Sequence, residues 1–385
     1  MARNRVIYQS QAVYAGPDKT KKGDEGWRVE TGNHAPVQLK RIQSANYSFD
    51  IARTDVNQFG ELAAIDRVVL ESPTVSFDTS WYACNWYNED KLGLLINTGT
   101  VEMANLSGIL GDILTANADE RNYYVRIVPE GTDAVGHDTG ATDDTNNVTV
   151  GIGNGFLSNY TIEGAVGGFP TASTTVEALN IEFFDKISGN APWVFASDGS
   201  KSTGQAANAE GATHTFQLGA ATSSGLSTSA VSAIKPGNIT LTLPSGQGGA
   251  DLSGEGSVAI QSFNCSFDLA REPLNKLGSR FAFAREITFP VTATVSCDAL
   301  VSEFVTGSLA DIIDNNEDQQ LVVRLDSDGV ASTEHMAIIM KKAKLDSQTF
   351  SQGIGDNQTV TLNWSAQIGS KTQSGIGLFL SGDSV

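Results

Sequence analysis

The sequence predicts a mainly β protein: two tandem copies of a β-sandwich or barrel domain, each with one flanking α-helix. Three observations lead there. The first is a palette of Gly, Ser, Thr, Asn and Ala with only 18% charged residues, which suits short strands and turns better than long helices. The second is strict alternation. Ala45, Tyr47, Phe49 and Ile51 fall on one face, with Asn46, Ser48 and Asp50 on the other. Phe263, Cys265, Phe267 and Leu269 repeat this opposite Asn264, Ser266 and Asp268, the pattern of half-buried antiparallel strands. The third is an internal repeat. Residues 42–67 and 260–285 share Ile42, Gln43, Ser44, Asn46, Ser48, Phe49, Asp50, Ala52, Arg53, Asn57, Gly60, Ala64 and Arg67 at a constant offset, 13 of 26 positions.

The correspondence continues in the same order with gaps. Gly111-Asp-Ile-Leu and Tyr124-Val-Arg-Ile match Ala310-Asp-Ile-Ile and Val322-Val-Arg-Leu, and Leu157-Ser-Asn-Tyr-Thr-Ile matches Leu345-Asp-Ser-Gln-Thr-Phe. Shrinking offsets give the first copy the longer loops, chiefly 129–154. The domains therefore read as 1–185 and 236–385. Between them, 198–233 holds 25 Ala, Gly, Ser or Thr in 36 residues. Such a segment buries little apolar area against its backbone entropy. The stretch 186–235 reads as a linker or outward-facing arm.

In chain order, strands are expected at 5–13, 45–51, 68–77, 122–128, 157–165 and 174–183. The second copy places them at 237–243, 263–269, 286–296, 320–326, 335–343 and 358–366. Leu106, Ile109, Leu110, Ile113 and Leu114 follow a helical stripe, and Val301, Phe304, Val305, Ile312 and Ile313 follow a similar one through 298–314.

Charge and motifs exclude several functions. The net charge is −19, from 25 Lys+Arg against 44 Asp+Glu. Phosphate capture needs clustered cations, and an anionic membrane surface equally needs them. The longest apolar runs fall far short of the ~18 residues of a membrane span. The start of the chain shows no apolar signal core, so a cytoplasmically made protein is expected. Cys84, Cys265 and Cys297 have no CxxC or Cys/His spacing and read as reduced, partly buried thiols. No GxSxG, P-loop or dinucleotide fingerprint is present. Gly151-Ile-Gly-Asn-Gly reads as loop, Asp326-Ser-Asp-Gly as a turn lacking later calcium ligands, and Asp143-Asp144 as a loop tip. No enzyme, cofactor or metal site is expected.

The repeated residues beyond the alternating strand admit two readings. Arg53, Asn57, Gly60 and Arg67, recurring as Arg271, Asn275, Gly278 and Arg285, form either a structural loop turning at Gly60 and Gly278, or a contact loop whose arginines dock on a neighbouring subunit. Asp50 and Asp268 are candidates for an exposed polar wall, or else pair with Arg53 and Arg271.

The run IQSxNxSFDxAR…N..G…..R, with Ser72-Pro73-Thr-Val or Phe289-Pro290-Val-Thr after it, resembles major tail tube proteins of long-tailed bacteriophages. So does Leu157-Ser-Asn-Tyr-Thr-Ile-Glu-Gly-Ala-Val-Gly-Gly-Phe-Pro-Thr-Ala. The resemblance covers both copies and leaves 186–235 outside. It implies rings stacked into a virion tail tube through which double-stranded DNA passes without specific binding. Contacts between rings would come from the loop after the long strand, and other tail proteins would meet the tube ends. Duplication implies three chains per ring with pseudo-sixfold symmetry. The charge fits: −12 over 1–185, +1 over 186–235 and −8 over 236–385 give an acidic wall to Asp50 and Asp268 as lumen-facing candidates. Another virion decoration or surface-layer β protein is the alternative.

Overall fold

The computed structural model describes residues 6–7, 10–18, 22–23, 26–27, 37–70, 73–98, 106–115, 120–128, 130, 134, 148–185, 190–192, 215–217, 234, 239–242, 258–275, 277–278, 282, 284–301, 318–326, 334–352 and 357–382. The first half of the chain supplies β1 (Gln11–Asp18), β2 (Lys22–Gly23), β3 (Gly26–Trp27), β4 (Val37–Gln38), β5 (Ile42–Asp50), β6 (Thr54–Val56), β7 (Asp66–Val68) and β8 (Thr74–Tyr82). Helix α1 (Tyr87–Leu92), β9 (Ile96–Asn97), helix α2 (Gly111–Thr115), β10 (Glu120–Ile127), β11 (Val148–Ala165), β12 (Thr171–Ala178) and β13 (Asn180–Asp185) follow. Then come β14 (Asn190–Pro192), β15 (Thr215–Gln217), β16 (Ile239–Thr242), β17 (Val258–Asp268), β18 (Arg271–Leu274) and β19 (Ala284–Ile287). The last are β20 (Thr292–Val301), β21 (Gln319–Asp326), β22 (Glu334–Ser351), β23 (Thr359–Gln367) and β24 (Gly377–Gly382). The fold is mainly β and its ladders are antiparallel, apart from a parallel β24–β9 pair.

One ladder organises the molecule. Its strands run β5-β8-β12-β11-β17-β20-β23-β22. Two strands, β11 and β22, are 18 residues long and serve two sheets each. The N-terminal part of β11 pairs with β10 and β13, and that of β22 with β21 and β24, while their C-terminal parts belong to the ladder. These smaller sheets cover one face of the ladder. Phe77 of β8 meets Tyr123 of β10 at 5.4 Å between rings, and Tyr160 of β11 meets Phe267 of β17 at 5.6 Å. Val75, Phe77 and Trp81, Ala172 and Val176, Val295 and Cys297, and Leu362 and Trp364 all point into this buried layer. Alternation in the sequence dictates this: Ser76, Asp78, Ser80, Ser173, Thr175, Ser296 and Asn363 alternate with them on the other face, while Thr79 and Thr174 share the buried one.

The registers recur along the ladder. The β5–β8 pairing slips by one residue between Ile42 and Ser44, and β17–β20 slips at Ile260 and Ser262, the same distance along as the sequence repeat. The β11–β12 pairing slips between Leu157 and Asn159, and β22–β23 between Leu345 and Ser347. Strand β1 pairs with β10 as β16 pairs with β21. The two halves share one hydrophobic core. Trp86 of the first half donates from its indole Nε1 to the Ser381 carbonyl of β24 at 2.7 Å, and Asn97 donates to the Leu380 carbonyl at 2.9 Å.

Several expectations are corrected. Gly151–Gly155, read as loop, lies inside β11, because Val148, Val150 and Ile152 continue the alternation across the small residues. The helix expected over 106–114 is confined to Gly111–Thr115; Ile109 and Leu110 are buried in a turn whose Ile109 N–H donates to the Leu378 carbonyl. Residues 298–301 of the second expected helix continue β20, where alternating Cys297 and Ala299 are buried; 302–314 lie outside the described residues. Helix α1 has no counterpart among the expected elements. Within 186–235, β14 pairs with β15 and Ile234 is buried; the rest is outside the described residues, as are Asp143 and Asp144.

Helix α1 closes on Gly93, whose φ of 97° is left-handed and whose N–H reaches the Asp90 carbonyl at 3.1 Å. It inserts Glu89 into the core. The carboxylate Oε1 accepts from Trp81 Nε1 at 3.1 Å and Tyr160 OH at 3.0 Å. Burial pushes the Glu89 carboxyl up to about 7, against a 4.5 reference. A carboxyl with a raised folded pKa holds its proton longer folded than unfolded, so it lowers stability as pH rises from about 4.5 through 7 and levels off above. Glu89→Gln keeps an acceptor for both donors and removes the charge. It is expected to gain about 2–3 kcal/mol at pH 8 and little at pH 4.5. Thermal melts of both proteins across that range check this; parallel pH profiles would contradict it.

Candidate assembly surface

The uncovered face of the ladder is built from hydroxyls, amides and carboxylates. Asp50, Asp78, Glu163, Glu177, Asp268 and Asp298 are exposed there, and β5, β8, β12, β17, β20 and β23, with 157–165 of β11 and 345–351 of β22, contain no Lys or Arg; Lys344, opposite Ser365 where β22 joins the ladder, pairs with Asp318 at 2.9 Å. Neighbouring strands tie four of these acids down with neutral donors. Thr175 donates to Asp78 at 2.8 Å, Thr361 and Ser262 to Asp298 at 2.6 and 2.8 Å, and Thr171 to Glu163 at 3.3 Å. Asn159 donates its amide to Asp268. Hydrogen bonds of this kind orient a carboxylate and leave its charge in place. Asp268 therefore does not pair with Arg271, the alternative considered from sequence.

That arginine instead binds across the β11–β17 junction. Arg271 Nε donates to the Leu157 carbonyl at 3.0 Å, and its guanidinium lies 5.2 Å from the Phe156 ring centre. Arg285 pairs with Glu177 of β12, its side chain 8% exposed. The hairpin β18–β19 thus folds over the first half of the chain. The corresponding hairpin β6–β7 closes on itself: Arg67 Nε meets Asp55 at 2.6 Å, both exposed. Arg53, Asn57 and Gly60 are exposed beside it, as are Asn275 and Gly278 beside β18. Gly60 and Gly278 take φ of 95° and 84°, the left-handed turn their residue type allows. At the first tip, Phe59 and Leu62 are fully exposed, and so is Leu277 at the second. Sequence found the arginines. Glu177 escaped it, because nothing local marks a partner 108 residues away.

The Arg285–Glu177 pair gives a prediction. Glu177→Ala leaves a buried guanidinium without its carboxylate. With Glu177 half exposed, the expected cost is about 1–2 kcal/mol. Chemical denaturation measures it, and Arg67→Ala, on the solvated pair, is expected to cost under about 0.5 kcal/mol. Equal losses would contradict the difference in burial.

Cys84, Cys265 and Cys297 are buried and unpaired with one another, and burial pushes the Cys265 and Cys297 thiols up to about 12. Among the described residues, no cluster of three or more His, Cys, Asp or Glu is placed to hold a metal, and no helix is long and apolar enough to cross a membrane.

No protein-family model and no curated protein sequence matches the chain. Among solved structures it is similar to a chain of the anti-feeding prophage baseplate, determined by cryo-electron microscopy with sixfold symmetrisation. That similarity has 9% identity, covers 48% of this chain and 97% of the other, and has a TM-score of 0.27.

Proposed function

We propose that the chain is a structural virion protein that polymerises into stacked rings forming a phage tail tube. In this reading 1–185 and 236–385 are two copies of one domain joined by 186–235, and three chains close a pseudo-sixfold ring. The observation that carries it is the ladder itself. Strand β17 continues the first half by pairing with β11, and the ladder ends on the strands in corresponding positions, β5 and β22. A chain whose two ends match its own internal junction repeats head to tail, and closes into a ring where the rotation per chain divides a full turn. Three eight-strand ladders make about 24 strands. At about 4.8 Å spacing and about 40° tilt, the closed wall is about 50 Å across, well beyond the 16–18 strands that already leave an aqueous channel.

The exposed acidic face supports the conduit. If that face lines the lumen, Asp50, Asp268 and their neighbours repel a phosphate backbone over about 8 Å at physiological salt, and the cations at its margins, Arg285 and Lys344, are already paired with Glu177 and Asp318. The tube would sit in the virion tail, assembled in the host cytoplasm, with other tail proteins at its ends. Negative-stain microscopy and native mass measurement of the purified protein test the reading. Hollow tubes or three-chain rings are expected. A protein that stays monomeric when concentrated, or rings of six chains, would overturn it.

A further inference from the structure

We propose that the chain-to-chain seam is an antiparallel pairing of β22 with β5 of a second copy, in the register that β11 and β17 use within one chain. This rests on the ring-forming reading above and specifies its contact residue by residue. Within the chain, Asn159 lies opposite Asp268, Tyr160 opposite Phe267, Thr161 opposite Ser266 and Ile162 opposite Cys265. The matching register slips align Leu157 with Leu345 and Asn159 with Ser347. Those in β5 and β17 align Ile42 with Ile260 and Ser44 with Ser262. Carrying both alignments over places Ser347 opposite Asp50, Gln348 opposite Phe49, Thr349 opposite Ser48, Phe350 opposite Tyr47 and Ser351 opposite Asn46 of the second copy.

Burial supports this occupant. Phe49 is 56% exposed at the start of the ladder, whereas Phe267, in the corresponding place at the internal junction, is 2% exposed. At the other end Phe350 is 44% exposed and its counterpart Ile162 fully buried. Each terminal strand thus shows an aromatic where the junction covers an apolar residue, and among the described residues the ladder ends at these two strands. The chemistry that covers them inside the chain is this chain's own strand, so a second copy offers the same shape, alternation and hydrogen-bonding edge. Backbone bonds extend the match. Leu269 N–H donates to the Ser158 carbonyl at 2.7 Å, which corresponds to Ile51 and Asp346 across the seam. Arg271 on the Leu157 carbonyl corresponds to Arg53 on that of Leu345.

The seam also differs from its template. Where Arg285 finds Glu177, the corresponding residues are Arg67 and Ser365, and Arg67 is already held by Asp55. The internal junction has an ion pair that the seam lacks. Assemblies should therefore part at one seam per chain, releasing intact chains in which both halves stay joined.

Paired cysteines test the register. Thr349→Cys with Ser48→Cys puts thiols directly opposite across the seam; Thr349→Cys with Asn46→Cys sets them two residues out of register. All three positions are exposed, so folding is preserved. Under mild oxidation of assembled protein, the first variant is expected to give a covalent closed trimer on non-reducing gels, and the second at least tenfold less. Tubes that form without cross-linking in the first variant, or that cross-link equally in the second, overturn the seam and leave the tube reading standing. Wild-type protein that never assembles overturns both.

Discussion

Phe49→Asp is expected to abolish rings and tubes while lowering the monomer's melting temperature by only about 2–5 °C. The side chain is 56% exposed in the isolated chain, so its replacement costs folding about 1 kcal/mol and leaves the monomer folded. Across the proposed seam the same position is covered, as Phe267 is at the internal junction. Losing half a phenylalanine's burial forfeits about 1–2 kcal/mol, and desolvating a carboxylate there adds about 2 kcal/mol or more. Together these raise the concentration needed for assembly by about two to three orders of magnitude. Sedimentation of the variant against wild type measures it. Normal tubes from folded Phe49→Asp protein would count against β5 as a seam strand.

Trp86→Ala is the second, and its loss falls on the monomer. Trp86 is fully buried, and its indole N–H satisfies the Ser381 carbonyl of β24, 295 residues away. Removing it opens a cavity at about 3–5 kcal/mol and orphans a buried carbonyl at about 1 kcal/mol more. The last strand is then held chiefly by β22 and the two-residue β9. Denaturant unfolding is expected to show a loss of about 4 kcal/mol or more, with early exchange of amides in Leu378–Ser381. A loss under 1 kcal/mol would show that β24 is secured by other means.

The repeat and its alternation made the ladder legible, because a period of two in matched segments leaves few other structures. The positions of β5, β10, β17, β21 and β23 follow from it, whereas the strand expected at 174–183 divides into β12 and β13. Strand ends were harder. Val148–Gly155 carries alternate Gly and Asn, which read locally as a turn, yet pairing on both sides by β10 and β13 makes it strand. Leu106–Leu114 has a helical stripe because its apolar residues pack on β24 and its neighbours, and a turn with one short helix serves that purpose as well as a long one. Arg271 and Arg285 were singled out as repeated residues, but their roles depend on strands brought alongside from another part of the chain. The ends of the ladder among the described residues, β5 and β22, have no local sign at all. They emerge only when the pairing order is known.

The two 18-residue strands have a mechanical consequence. Each spans about 60 Å of continuous backbone. Tension along such a strand reaches two sheets through one covalent path and loads many cross-strand hydrogen bonds in shear at once, where peeling an edge would break them one after another. In the proposed tube, a wall hung on these members would stiffen along the strand direction and yield first sideways, at the ladder's ends. Pulled lengthwise, it would stretch as a girder; bent, it would open like a seamed hose.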